Sequence, residues 1–453
     1  MNAPDLMSSG TSPDWAADTL TGRSRVDLAF GRGHLPVHLP ARAEPTVIRK
    51  AALAKLPDPS GAIRRTFANP VGARPLAELA RGRSSACILV CDITRPVPNR
   101  LFLRPMIETL TSSGIPLNTI TVLVATGLHR PNEGDELAEV IGDPWVLAEV
   151  RVENHFARNE ADHVDLGRTR TRSTPVSIDR RFLEADLRIA TGLVEPHFMA
   201  GWSGGRKVVA PGVAGHETIR TFHSARFMED PLAIQCNLAG NPLHEEQLEI
   251  VRMVGEIYAL NTVIDEDRNL VHVSFGEIIE SHLSAVAFVT DATRIRVPRR
   301  FSTVVTSSAG HPLDKTYYQT IKGMVTPLDI LAPGGTLIVA SACSEGFGSP
   351  EFRAAQARLV ELGPERFLAT LTAKTLAEVD EWQTEMQLKS MRVGRVQLYT
   401  TGLDAEERRI TGVEIITNLD AAIADSIDQH GDPALAVIPE GPYVVPVHSE
   451  RHA

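Results

Sequence analysis

Nowhere in the 453 residues do eighteen apolar residues run together, so no helix is expected to span a membrane. The first 25 residues are mixed and polar, without the basic start and apolar stretch of a secretion signal. They are expected to form a flexible tail. There are only four cysteines, Cys87, Cys91, Cys236 and Cys343. That is too few for a disulfide framework, and no C-x-x-C pair suggests zinc. Cys87 and Cys91 bracket an apolar run and read as small buried hydrophobes. A reducing compartment follows, with the cytoplasm as the default. Positive charge is not in excess either. The formal net charge of -10 opposes non-specific nucleic-acid binding, although a few local donors suffice for one phosphate. There is no internal repeat, coiled-coil heptad or low-complexity tract.

What is present has the composition of an α/β protein, with 43% hydrophobic and 23% charged residues. Apolar β-branched runs alternate with amphipathic stretches, the pattern of a mainly parallel sheet covered by helices. Strands are expected at Ala86–Cys91, Ile120–Ala125, Leu187–Thr191, Thr303–Ser307 and Thr336–Ala340. The basic segment Arg294–Arg300, containing Pro298, marks a boundary. Two α/β domains are therefore expected, over 26–297 and 298–419. The last segment, 420–453, is expected to return and pack on the first domain.

Chemistry-bearing residues gather where strands end, the edge at which open α/β sheets bind ligands. Asp92-Ile93-Thr94-Arg95-Pro96 follows the first strand, and the fork of Arg95 suits a carboxylate. Set against that, Asp92 could simply cap a helix. Ala125-Thr126-Gly127-Leu128-His129-Arg130-Pro131 follows the second strand. The densest segment, from Glu195 to Phe227, holds His197, then Ser203-Gly204-Gly205-Arg206-Lys207, Pro211-Gly212, His216 and His223. Its glycines allow close backbone approach and an anion nest, with Lys207 beside it as a phosphate partner or nucleophilic amine. It is not a P-loop, because Val208 stands where a hydroxyl should be. Tyr317-Tyr318-Gln319-Thr320-Ile321-Lys322 would place Gln319 and Lys322 on one helix face. These features suggest an anionic ligand, a reactive lysine and several histidines, without identifying a metal or a reaction.

Together the segments resemble the nickel-pincer lactate racemase family. The motifs that carry the resemblance are D-x-T-R-P-x-P at 92–98, G-x-H-R-P at 127–131, and PHFMAGWSGGRK followed by TFH. The resemblance implies two domains with an active-site cleft between them. It implies that Lys207 is joined to a nickel-pincer nucleotide (pyridinium-3-thioamide-5-thiocarboxylic acid mononucleotide) and that His223 ligates Ni(II). Ser203, Gly204 and Gly205 would lie along the cofactor, and Asp92, Tyr318 and Trp382 would shape the pocket. His129 and His197 would exchange the substrate hydroxyl proton from opposite faces, while Arg95, Gln319 and Lys322 bind substrate. The implied reaction is racemisation of a lactate-like 2-hydroxy acid through a 2-keto acid, with cofactor-synthesis and insertion proteins as partners.

Malate-like, longer-chain, aromatic and sugar-acid substrates remain open within this chemistry. From other classes, a non-catalytic cofactor-binding protein would not need both His129 and His197. A zinc hydrolase is disfavoured because no H-E-x-x-H spacing occurs.

Overall fold

The computed structural model describes residues 16–17 and 24–448, so the tail expected over 1–25 lies mostly outside the described residues. Within that tail, Ala16–Ala17 pairs antiparallel with Ser24–Phe30. The chain divides into two compact units, each assembled from separate stretches: 50–294 with 349–386, and 1–49 with 295–348 and 387–453.

The first of these units, 50–294 with 349–386, is built on a six-stranded sheet. Its order is Leu270–Glu277, Tyr258–Ile264, Leu187–Leu193, Ala86–Cys91, Ile120–Ala125 and Arg151–Asn154. All neighbours run parallel except the Leu270–Glu277 edge strand. Ala-Cys-Ile-Leu-Val-Cys at the centre is buried along nearly its whole length, because helices cover both faces and alternation is lost. Ile88, Val90, Val122, Val124 and Ile189 pack into one core with Phe102, Met106 and Leu110 of the helix Asn99–Ser112. Cys87 belongs to this interior, and burial pushes its thiol above the ordinary range, so it is an inert hydrophobe. Because three central strands are parallel neighbours, the loops holding Asp92, His129 and His197 leave the same edge of the sheet.

The other unit also has a six-stranded sheet, here wholly parallel. Its order is Glu414–Ile416, Arg395–Tyr399, Leu331–Ala340, Phe301–Ser307, Ala434–Ile438 and Glu44–Val47. This narrows one expectation. Segment 420–453 packs on residues 26–49 of the 26–297 region but not on the sheet of 50–294, because 26–49 belong to the same unit as the segment. Its strand Ala434–Ile438 is buried along its length and lies between Phe301–Ser307 and Glu44–Val47. Residues 26–49 belong to this unit too, and 349–386 belong to the other, so neither unit is one contiguous stretch. One of the divisions, between 294 and 295, falls at the start of the segment Arg294–Arg300.

Candidate active site

Asp92 follows the strand Ala86–Cys91 and is buried. Its Oδ1 accepts from the Thr94 amide at 3.1 Å and hydroxyl at 2.5 Å, which locks the turn. Its Oδ2 lies 2.6 Å from Nδ1 of His129, the loop residue after Ile120–Ala125. Desolvation works against ionising Asp92, but the His129 charge and hydrogen bond outweigh it and hold the carboxyl below its usual range. Desolvation likewise disfavours His129 as a cation, yet the Asp92 carboxylate shifts the imidazole upward overall. An ionised carboxylate only accepts, so Nδ1 carries the proton and Nε2 keeps a lone pair. The His129 side chain is 52% exposed, which leaves that lone pair open to a ligand. Arg95, half-buried on the same turn, sets its Nε 3.2 Å from Oε1 of Glu195.

His197 is buried in the short strand Pro196–His197, which pairs with Gly201–Trp202. Its Nδ1 accepts the amides of Met199 at 3.4 Å and Ala200 at 3.2 Å, and its ring stacks on Phe198.

The Ser-Gly-Gly-Arg-Lys loop leads into the one-turn helix Arg206–Val209. Gly205 needs its missing side chain for an internal reason. At φ +50°, a Cβ would lie 2.8 Å from the His282 ring. The Gly205 amide is engaged by Asn261 Oδ1 at 2.9 Å, and the Ser203 hydroxyl donates to the Leu193 carbonyl at 2.8 Å. Of the amides expected to form an anion nest, that of Gly205 is thus occupied within the protein. Lys207 is half-buried. Its charge acts on His223, the residue that ends the helix His216–Phe222. Burial, then Lys207, pushes His223 down to about 3, so the imidazole is neutral. Its Nδ1 donates to the Ile219 carbonyl at 2.8 Å, which leaves Nε2 unprotonated, the form in which histidine ligates metals. Phe222 and Trp382 flank the ring at 4.7 and 4.8 Å.

Among the described residues, no group of three or more His, Cys, Asp or Glu is arranged to hold a metal ion. One neutral imidazole beside an amine fits a metal whose other ligands come from an organic group. It does not fit a zinc site built from protein ligands alone.

A family model described as the lactate racemase N-terminal domain matches residues 30–235, and one described as the lactate racemase C-terminal domain matches 298–446. The chain is 30% identical over 382 residues to the lactate racemase of Lactiplantibacillus plantarum, covering 84% of this chain and 89% of that one. It belongs to the lactate racemase family. It is 28% identical over 428 residues to the lactate racemase of Thermoanaerobacterium thermosaccharolyticum, with 93% of this chain and 99% of that one covered. The structure of the lactate racemase apoprotein from that organism superposes with a TM-score of 0.86 at 26% identity, over 93% of this chain and 99% of that one. A Thermotoga maritima protein shares the fold, with a TM-score of 0.67 at 18% identity. Membership makes the chain an enzyme of the isomerase class.

The residues singled out from the lactate racemase motifs divide between the units. Asp92, Arg95, His129, His197, Ser203, Gly204, Gly205, Lys207, His223 and Trp382 lie in 50–294 with 349–386. Tyr318, Gln319 and Lys322 lie in the other unit, on the helix Tyr317–Val325 capped by Thr316. All three are half-buried, and Gln319 Oε1 is a buried acceptor without a hydrogen-bond partner.

Sequence reasoning gave no role to Glu195, Asn132 or Asp380. Glu195 pairs with Arg95. Buried Asn132 accepts from the Ile93 amide at 3.1 Å and ties the Asp92 turn to the His129 loop. Asp380, at φ +64°, adds negative charge that favours the His129 cation. Only the positions of Glu195 and Asn132 beside motifs could have signalled the first two. Nothing local marks Asp380.

Proposed function

We propose that the chain racemises or epimerises a lactate-like 2-hydroxy acid through its 2-keto acid, using a nickel-pincer nucleotide tethered to Lys207. The observation that carries this is the pairing of the Lys207 amine with the neutral, buried, metal-ready imidazole of His223. Lys207 would hold the group covalently, His223 would ligate its Ni(II), and Trp382 would flank that ligand. Ser203, Gly204 and Gly205 would offer backbone along it, and Tyr318 is proposed as a further residue of the cofactor set. Bound there, the group supplies an acceptor for the C2 hydrogen as hydride, chemistry no side chain offers.

A hydride route suits this substrate class. The C2 hydrogen beside a carboxylate is too weakly acidic for a side-chain base to remove as a proton. Arg95, Gln319 and Lys322 would hold the carboxylate and oxygen functions. Nε2 of His129 takes the hydroxyl proton, and Asp92 stabilises the resulting imidazolium. Once the C2 hydrogen has left as hydride as well, the 2-keto acid is planar at C2, so turning it over exposes its other face. His197 would serve the hydroxyl oxygen there. Malate-like, longer-chain, aromatic and sugar-acid substrates would run through the same residues. The chain would act in the cytoplasm and depend on proteins that make and insert the nucleotide.

The test is an intact mass of the chain purified from a host that makes the cofactor. A nucleotide-sized adduct containing nickel, lost in Lys207→Ala, is expected. An unmodified mass from a host that loads a known racemase overturns the proposal and favours a binding protein.

A further inference from the structure

The turn after His197 is held from behind by two buried side chains to which the chemistry above gives no role. Arg206 is 1% exposed, and its Nη2 donates to the Ala200 carbonyl at 2.8 Å. Its Nη1 lies 3.0 Å from Nε2 of buried His282, which itself lies 2.8 Å from the Ser203 carbonyl. No carboxylate pairs with this guanidinium among the described residues, and burial pushes it down to about 9. A buried cation without an acid partner is costly, and what it obtains here is a fixed backbone. Asn241 is fully buried. Its Nδ2 donates to the carbonyls of Met199 at 3.0 Å and Asn237 at 3.1 Å. Its Oδ1 caps the helix Pro242–Val254 by accepting from the Leu243 and His244 amides.

Met199 and Ala200 are thus gripped at their carbonyls by Asn241 and Arg206, while their amides point at Nδ1 of His197. Two donors facing one ring nitrogen require it to be an acceptor. The neutral ring must then carry its proton on Nε2. His129 is fixed the opposite way, since Asp92 keeps the proton on Nδ1 and Nε2 bare.

We infer that Arg206 and Asn241 are positioning residues that lock His197 as the Nε2–H tautomer, so that with both rings neutral His197 offers a hydrogen where His129 offers a lone pair. A 2-hydroxy acid has one oxygen that both donates and accepts at C2, and this complementary pair suits it. The substrate's hydroxyl hydrogen would go to His129, and the carbonyl oxygen of the 2-keto acid would accept the Nε2–H of His197. This rests on the racemase proposal for its meaning, but its test does not.

The experiment is 15N–1H NMR of the full-length chain labelled at histidine nitrogens, at a pH where the imidazoles are neutral. His197 is assigned by its loss in His197→Gln. We expect a bare Nδ1 and a protonated Nε2 in the parent chain. Asn241→Asp keeps the helix-cap acceptor but loses the donor to Met199, and Arg206→Lys keeps charge but loses the fork. Each should move a share of His197 to the Nδ1–H form. In the loaded enzyme each should lower kcat on the order of tenfold to a hundredfold, with KM within about twofold. A parent chain carrying the His197 proton on Nδ1 overturns the inference, whatever the variants do. So do two folded variants whose His197 signals match the parent. Failure of the racemase proposal would appear instead as a missing adduct on Lys207.

Discussion

The Asp92 carboxylate decides which nitrogen of His129 carries the proton and how readily the ring takes a second one. Its removal should therefore change the pH profile as well as the rate. The accepting form of His129 is neutral, so activity rises as pH climbs through its raised value. In Asp92→Asn that support is gone, and the acid limb of kcat should move to lower pH. Its plateau should fall on the order of 10²-fold, the size of a positioned base's contribution. An acid limb left in place would remove His129 from the proton-transfer step. His223→Ala separates tether from ligand. Nickel per chain should drop while the mass adduct on Lys207 persists, and full nickel retention would deny the ligand role. At this scale the motifs were legible because their chemistry is written in adjacent residues, as with Asp92, Thr94 and Arg95. Glu195 and Asp380 were not, because their effect depends on where folding brings their charge.

At the scale of elements, apolar runs such as Ala86–Cys91 and Ile120–Ala125 announced buried parallel strands at the bounds the fold has. Ala434–Ile438 is a strand of the same kind. An Ala-Leu-Ala-Val-Ile run buried on both faces says only that it needs two neighbours, not which ones. Hence the expectation that 420–453 packs on 26–297 holds only for the first residues of that stretch: it joins Glu44–Val47 and Phe301–Ser307. Leu435 is fully buried in the core that Leu28, Val37, Val305 and Ile338 share. Leu435→Ala should cost about 2–5 kcal/mol of stability, measured by urea unfolding. An unchanged midpoint would remove this strand from that core.

For the molecule as a whole, buried neutral histidines tie stability to pH. Burial holds His223 and His244 down to about 3, whereas an unfolded histidine titrates near ~6.5. Between those values the unfolded chain binds more protons, so their contribution is complete above pH ~6.5 and is lost as pH falls toward 3. By pH 5 each histidine should cost roughly 2 kcal/mol. The melting temperature of the cofactor-free chain should drop steadily from pH 7 to 5, and a flat profile would contradict their burial. The interleaving of the two units also has a consequence in time. Every strand of the 50–294 sheet is made before residue 295 emerges, so that sheet can close early. The edge strand Glu44–Val47 must instead wait for Ala434–Ile438. At ~5–20 residues per second the intervening stretch takes on the order of a minute to synthesise. Throughout that interval one of the first strands off the ribosome remains without its partner, and the chain must be kept from pairing it elsewhere.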